Sequence, residues 1–184
     1  MNTQPLVKAC LKGNEQAQKQ LYDAFASQMM SVCYRFTKST EDAEDVLQEG
    51  FIKVFTNLTQ YKGDGELGAW IRKIMVNTAL AYLKKNKNYS NDLLIKEDHM
   101  HVISDDHPEI NVHVKELIEM IRQLPVGYQT IFNMHAIEGY SHVEIGQVLG
   151  ISEGTSRSQY MRARNQLITW LQKQPGEFKK TSYA

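Results

Sequence analysis

The sequence predicts an all-α protein with two helical domains joined by a flexible acidic linker. Apolar residues recur at helical spacing through most of the 184 residues. Only 4 prolines and 11 glycines interrupt the chain, and β-branched residues do not cluster into strand-like runs. A stretch without apolar periodicity separates two helical blocks, and a structureless loop of that length is unusual inside one compact domain.

Charge is unevenly distributed, although basic and acidic residues number 21 each. Residues 1–88 carry 12 basic and 9 acidic side chains, residues 89–114 carry one and six, and residues 115–184 carry eight and six. We therefore predict helical domains at residues 1–88 and 114–174, an acidic linker at 89–113 and a polar tail at 175–184.

The two cysteines, Cys10 and Cys33, are too few for a disulfide framework and form no CxxC pair. They are expected as small core residues in a reducing compartment. No basic segment leads into an apolar run at the N-terminus, and no run of about 18 apolar residues occurs. The expected location is the cytoplasm, without a membrane-spanning helix.

Four helical segments are predicted in the first block. Their apolar stripes lie in residues 6–11, 17–36, 46–55 and 70–82. Thr40 is the expected N-cap of the third helix, since Glu41 and Asp42 follow as an acidic first turn. A break with three glycines precedes the fourth helix.

Four further helices are predicted in the second block, over residues 114–124, 128–137, 143–149 and 153 to about 172. Pro125 ends the first of them, Gly139 the second and Gly150 the third.

Residues 141–152, SHVEIGQVLGIS, have the pattern of a helix-turn-helix. Ile145 and Leu149 are expected to face the core, and Gly146 is small where the helices cross. Gly150 permits a positive φ at the turn, and Ser152 caps the second helix. The spacing suits two steeply crossing helices of the kind that dock on DNA.

The second helix of this pair is predicted to contact DNA. Arginine reads guanine edges with two hydrogen bonds or binds phosphate, and hydroxyl and N–H groups at a helix start also bind phosphate. A solvated basic helix in a structural bundle is the alternative reading. The candidate DNA contacts are Ser152, Thr155, Arg157, Ser158, Met161, Arg162 and Arg164.

Two segments of the first block have opposite charge. Residues 38–50 hold Lys38 against five acidic residues, and residues 68–88 hold five basic residues and no acid. Acidic residues at a helix start are favoured by the helix dipole, but that explains Glu41 and Asp42 rather than the full run. The two segments are predicted to bind different partners.

The motifs resemble those of bacterial sigma factors. Residues 42–51, DAEDVLQEGF, are similar to the second conserved region, and residues 70–72, WIR, with Ile74 and Asn77 resemble the promoter-melting helix that follows it. Six short motifs in the second block resemble region four. They are LP at 124–125, EGYS at 138–141, EI at 144–145, LGIS at 149–152, GT at 154–155 and RAR at 162–164. Their order over residues 5–172 is similar to that of the two-domain extracytoplasmic-function (ECF) sigma factors.

The resemblance implies binding to core RNA polymerase, at the clamp of its largest subunit and at its flap, and to promoter DNA in duplex and single-stranded form. The first domain would read and melt the −10 element, and the second would read the −35 element. The linker would thread through the polymerase interior, where its acidic charge would mimic nucleic acid; a solubilising tether is the alternative. A separate anti-sigma factor or recruiting partner is also expected from the resemblance.

The resemblance also suggests roles for individual residues of the first domain. The expected polymerase contacts are Asp42, Asp45, Gln48 and Glu49, with Phe51 in the core. The expected −10 contacts are Tyr61, Lys62, Asp64, Arg72, Lys73, Asn77, Lys84 and Lys85. In the family, the loop at 61–67 captures a base flipped from the melted strand. Tyr61, Trp70 and Tyr82 are candidates for base stacking, although Trp70 is expected in the core.

Four positions depart from the family pattern. Ala81 stands at a usually acidic position, Lys84 and Lys85 replace arginines, and Gln159 stands where a basic residue is common. Lysine keeps the charge but lacks the planar fork of arginine. Altered −10 specificity and weaker −35 contacts are therefore expected.

Two other functions remain open: a stand-alone helix-turn-helix regulator, and a sigma-like adaptor recruited to DNA by another factor. No nucleophile–base arrangement indicates an enzyme, and no ATP, metal or redox cofactor is implied. The histidines and aspartates between residues 98 and 107 lie on no ordered element, so no metal site is predicted there. His135 and His142 are expected to be ordinary helix residues.

Overall fold

A computed structural model describes residues 3–85 and 114–173, and the chain divides near residue 86 into two compact units. Each unit, within these ranges, is built from helices and contains no strand. No helix in the described ranges combines the length and the apolar character needed to cross a membrane. The predicted linker, the tail and the histidines near residue 100 lie outside the described residues.

The first unit is a bundle in which the three longest helices pack against one another. Its elements are α1 (Gln4–Leu11), α2 (Glu15–Phe36), α3 (Thr40–Thr56), a 3₁₀ turn (Leu58–Gln60) and α4 (Leu67–Lys85). Leu21, Met29, Phe36, Ile71 and Met75 are fully buried between them. The helices form because each sequence stripe gives one apolar face that the other helices cover.

The start of α3 differs from the sequence prediction by one residue. Ser39, and not Thr40, is the N-cap: its Oγ accepts a hydrogen bond from the Asp42 N–H at 3.0 Å. Ser39 has extended backbone angles (φ −120°, ψ 165°), whereas Thr40 is already helical. Both residues favour caps, so only the backbone conformation selects between them.

The second unit packs its helices around one apolar cluster. Its elements are α5 (Val114–Gln123), α6 (Val126–Phe132), a π-helical turn (Asn133–Ile137), α7 (His142–Leu149) and α8 (Glu153–Lys173). The buried cluster consists of Met120, Ile121, Leu124, Tyr128, Ala163 and Leu167. Through Ala163 and Leu167, this cluster anchors one side of α8.

The predicted helix over residues 128–137 is divided in the structure. It begins earlier, at Val126, and from Asn133 it continues as a π-helical turn in which the Glu138 N–H donates to the Asn133 carbonyl at 2.9 Å. Gly139, with φ 77°, then ends the helix. Apolar spacing does not reveal this change, since one wider turn leaves the pattern nearly intact.

Candidate nucleic-acid and polymerase interfaces

One side of α3 is exposed and acidic. We define the acidic face as Glu41, Asp45, Gln48 and Ile52, all of which are exposed. Ile52 is the apolar member of this face, and 66% of it is exposed. At 100° per residue Ile52 falls between Asp45 and Gln48 around the helix, opposite the buried Val46 and Val54, and this periodicity identifies it.

The four predicted polymerase contacts differ in exposure. Asp45 and Gln48 are exposed on the acidic face, whereas Asp42 and Glu49 are half-buried at its edge. The hydroxyl of Tyr82 donates a hydrogen bond to Asp42 Oδ1 and so connects α4 to α3. Phe51 is buried, as predicted.

Glu49 is held by its own helix. Lys53 Nζ lies 2.7 Å from Glu49 Oε1, and this hydrogen bond lowers the pKa of the Glu49 carboxyl. Lys53 also approaches Thr78 Oγ1 of α4 at 3.4 Å. Glu49 therefore carries a charge that is partly balanced, in contrast to the neighbouring acidic face.

The predicted −10 residues lie on α4 and on the loop that precedes it. Lys62, Asp64, Lys73, Asn77, Lys84 and Lys85 are exposed, and Tyr61 and Arg72 are half-buried. The lysines at the end of α4 also favour its negative C-terminal dipole. The exposed basic residues of α4 and the acidic face of α3 thus belong to one small bundle.

The loop before α4 forms an open cleft of about 400 Å³. Tyr61 and Trp70 line it with their ring centroids 5.7 Å apart, together with Lys62, Asp64 and Lys73. The Tyr61 hydroxyl donates a hydrogen bond to the Gly65 carbonyl at 2.7 Å. This bond joins the Tyr61 side chain to the backbone of the same loop. The expectation that Trp70 lies in the core is wrong: it is half-buried, because one side of the indole faces the cleft.

The helix-turn-helix is formed by α7 and α8 as the sequence predicted. Ser141 and Glu144 make a reciprocal capping box at the start of α7, and Gly150 ends it with φ 73°. At the crossing, a Cβ on Gly146 would lie only 2.7 Å from the Ile151 carbonyl oxygen. Only glycine permits this approach, and the close contact determines the direction in which α8 begins after the turn.

The N-terminus of α8 is capped by side-chain hydroxyl groups at the start of the helix. Ser152 Oγ accepts a hydrogen bond from the Thr155 N–H at 3.0 Å and lies 2.8 Å from Thr155 Oγ1. Of the predicted DNA contacts, Ser152, Arg157, Ser158 and Met161 are exposed, whereas Thr155, Arg162 and Arg164 are half-buried. The exposed surface of α8 is therefore centred on Arg157, Ser158 and Met161.

Arg157 is held by an acidic neighbour on the same helix. Its Nε and Nη2 donate to Glu153 Oε1 at 2.9 Å and 2.5 Å. Both side chains remain well exposed, at 64% for Arg157 and 44% for Glu153. Glu153 was not among the predicted contacts, although its spacing of four residues from Arg157 signals the pair.

Gln159, which stands where a basic residue is common in the family, does not lie on the exposed surface of α8. It is only 3% exposed, so it faces the interior of the second unit rather than the open surface of α8. The expected weakening of −35 contacts by this residue therefore lacks a structural basis at the exposed surface.

Two histidines form a packed cluster rather than ordinary helix contacts. The rings of His135 and His142 stack with centroids 4.0 Å apart, and Tyr160 of α8 meets His135 edge-on. His135 Nδ1 lies 2.8 Å from the Tyr140 carbonyl, and His142 Nδ1 lies 2.9 Å from Ser156 Oγ. Burial lowers the pKa of His142, and the nearby His135 and Arg157 add to this effect. The cluster joins the π-helical turn to both helices of the motif.

The cysteines are buried and free, as predicted. Burial raises the pKa of the Cys33 thiol to about 12 and also raises that of Cys10. In the part of the chain that the structure describes, no group of three or more His, Cys, Asp or Glu side chains is arranged to hold a metal ion.

The first unit combines an acidic helix face with a basic helix beside an aromatic cleft, and the second unit contains a helix-turn-helix, a motif common in DNA-binding transcription proteins. Family profiles agree with this division: "Sigma-70 region 2" matches residues 21–89, and "Sigma-70, region 4" matches residues 115–167. The chain belongs to the sigma-70 family of RNA polymerase sigma factors and is of the ECF type.

Curated relatives match over nearly the whole chain. The ECF RNA polymerase sigma-E factor of Haemophilus influenzae is 27% identical, with 94% of this chain and 96% of the relative covered. The ECF RNA polymerase sigma factor SigW of Bacillus subtilis is also 27% identical, over 88% of this chain and 92% of the relative.

A solved structure shares the fold. The sigma factor RpoE of Bartonella quintana, crystallised with the anti-sigma factor NepR, is 19% identical and has a TM-score of 0.51. The match covers 86% of this chain and 98% of that one.

Proposed function

We propose that this ECF sigma factor, which directs RNA polymerase to promoters, divides its task between its two domains. In this proposal residues 1–88 bind the polymerase and open the −10 element, and residues 114–174 read the −35 element. Residues 89–113 form the linker and residues 175–184 the tail. The observation that carries the proposal is the pairing, within one bundle, of the acidic face with an exposed basic helix, which a duplex-binding regulator does not need.

The acidic face is the proposed contact for the basic coiled-coil clamp of the polymerase. Asp45 and Gln48 are exposed there, and the apolar Ile52 lies between them around the helix. An apolar residue within a charged patch gives a contact that excludes water, while the surrounding charges give orientation and association rate. Asp42 and Glu49 act at the edge, where each also has a partner within the chain.

The basic side of α4 and the neighbouring cleft are the proposed −10 site. Lys73, Lys84 and Lys85 would neutralise phosphates, and Asn77 would contact a base edge. The cleft between Tyr61 and Trp70 offers aromatic surface for one unstacked base. Binding the open strand more tightly than the duplex would drive melting without any chemical step by the sigma factor.

The exposed surface of α8 is the proposed −35 reader. Arg157 would contact a guanine edge in the major groove, and Met161, 38% exposed, would contact a thymine methyl group. Ser158 would meet a phosphate or a base. We place this activity in the cytoplasm, with core polymerase as the obligatory partner and a separate anti-sigma factor as the regulator, as in the complex of the Bartonella quintana relative.

Run-off transcription from fragmented genomic DNA tests the proposal. Cognate core polymerase is assayed with and without the protein, and the 5′ ends of the RNA are mapped. New starts that share two upstream elements are expected. Stable binding to core without new starts would favour the recruited adaptor, and neither binding nor starts would favour the stand-alone regulator.

Charge reversal tests the polymerase contact. Asp45→Arg should weaken binding to core polymerase at least ten-fold, since a like charge then meets the basic clamp. Glu15→Arg makes the same change at an exposed site on α2 and should leave the affinity unchanged. Equal affinities for the two variants would contradict the proposed surface.

A further inference from the structure

We propose that Glu153 is a positioning residue that fixes Arg157 for reading one guanine of the −35 element. The inference rests on the proposed −35 role of α8, and it assigns a function to an acidic residue on a surface that binds a polyanion. Such a residue is unexpected there, because a carboxylate repels the phosphates and weakens the binding of any duplex.

The geometry of the contact leaves the reading edge of Arg157 available. Glu153 Oε1 accepts from Nε and Nη2, which lie along one edge of the planar guanidinium. The end of the fork, made by Nη1 and the second N–H of Nη2, is not used in this contact. A bidentate hydrogen-bond pair to guanine O6 and N7 needs that kind of planar pair of donors.

The pair has little value for the fold itself. Exposed ion pairs four residues apart on a helix contribute only weakly to stability, and here both members are exposed. The contact reduces the conformational freedom of Arg157, because it favours one orientation of the long side chain before DNA binds. Ordering the side chain in advance lowers the entropy lost on binding, and the gain applies only when the correct base is present.

The position of the pair within the motif supports this role. Glu153 is the first residue of α8, the end from which a recognition helix contacts base edges. Ser158 and Met161 are exposed on the following turn. A fixed Arg157 would therefore set the register of the helix against its neighbouring bases.

The test uses the full chain with core polymerase on promoters first mapped by run-off transcription. Each −35 base pair is replaced in turn, and the ratio of binding to the original and the altered promoter gives the preference at that position. Arg157→Ala identifies the base pair read by Arg157, since the preference there should fall about ten-fold or more. If Arg157→Ala changes no preference, the proposed −35 reading itself fails.

Glu153→Ala is then compared with Glu153→Gln. Both remove the repulsive charge, so both should bind unrelated duplexes more tightly and show a steeper dependence of affinity on salt. Only Glu153→Ala removes the acceptor, and it should lower the preference for the guanine about two-fold more than Glu153→Gln does, the scale set by an exposed pair. In the Arg157→Ala background, Glu153→Ala should change that preference no further.

A Glu153→Ala protein that keeps the full guanine preference, with only the general gain in affinity, would overturn the inference. Circular dichroism of both variants checks the helix start. Altered stability alone does not imitate the expected result, because a structural defect weakens all promoters alike and leaves the ratio between them unchanged.

Discussion

Gly146→Ala tests the packing on which the helix-turn-helix depends. The added Cβ would lie 2.7 Å from the Ile151 carbonyl oxygen, against an ordinary contact distance of 3.4–4 Å. The obstacle is backbone and cannot rotate away. The same turn is held by hydrogen bonds from the N–H groups of Gly150 and Ile151 to the Gly146 carbonyl, at 2.9 Å and 3.0 Å. Movement of Ile151 therefore disturbs the end of α7 and the start of α8 together.

The magnitude follows from two opposing terms. Overpacking a buried site costs about 1–3 kcal/mol, and alanine is better than glycine within a helix by up to about 1 kcal/mol. A net loss of about 1–2 kcal/mol is expected. For a unit of this size, each kcal/mol lowers the melting temperature by about 4–8 °C, so a fall of roughly 5–15 °C is expected for the second unit.

Differential scanning calorimetry of the full chain measures this change. Gly154→Ala is the matched control, because its Cβ would approach nothing closer than Ser152 Oγ at 3.7 Å, an ordinary contact. That variant should keep or slightly raise the melting temperature. Equal melting temperatures for the two alanine variants would refute the reasoning that the close approach at Gly146 determines the crossing.

Three further predictions concern other parts of the chain. Gly50→Ala would place a Cβ against Sδ of the buried Met75, so urea unfolding should show a loss of about 1–3 kcal/mol from the first unit; unchanged stability would contradict the tight α3–α4 contact. Because the pKa of His142 is lowered in the folded state, the unfolded state binds more protons as pH falls below about 6.5, and stability should fall with it. Urea unfolding at pH 7.5 and 5.5 should show this loss in the wild type and less of it in His142→Asn; identical losses would argue against the assignment. Cys33 should resist iodoacetamide at pH 8 in the native chain and react after unfolding, as mass spectrometry would show; rapid native labelling would contradict its burial.

Much of the fold could be predicted because its signals are local. Glycine at 150, the serine caps at 141 and 152 and the apolar spacing between them specify the helix-turn-helix within twelve residues. The predicted separation into two helical domains agrees with the division of the structure near residue 86. These features depend on backbone preference and on neighbours a few residues away.

The errors concern residues whose surroundings come from elsewhere in the chain. Trp70 was expected in the core but faces a cleft made with Tyr61. Gln159 was expected to weaken the −35 contacts but is buried. In each case residue type suggested one environment, and the packing of other helices produced another.

The sequence by itself determined the helix-turn-helix with its serine caps, the charge of α3 and α4 and the family motifs, because these depend on residue type and short spacing. Only the tertiary structure decided which of the candidate contacts are exposed together, and it joined Tyr82 to Asp42 and stacked His135 on His142. The physical reason is that burial and long-range hydrogen bonds depend on which surfaces meet when distant segments pack. Helical periodicity specifies a face, but not what will cover it.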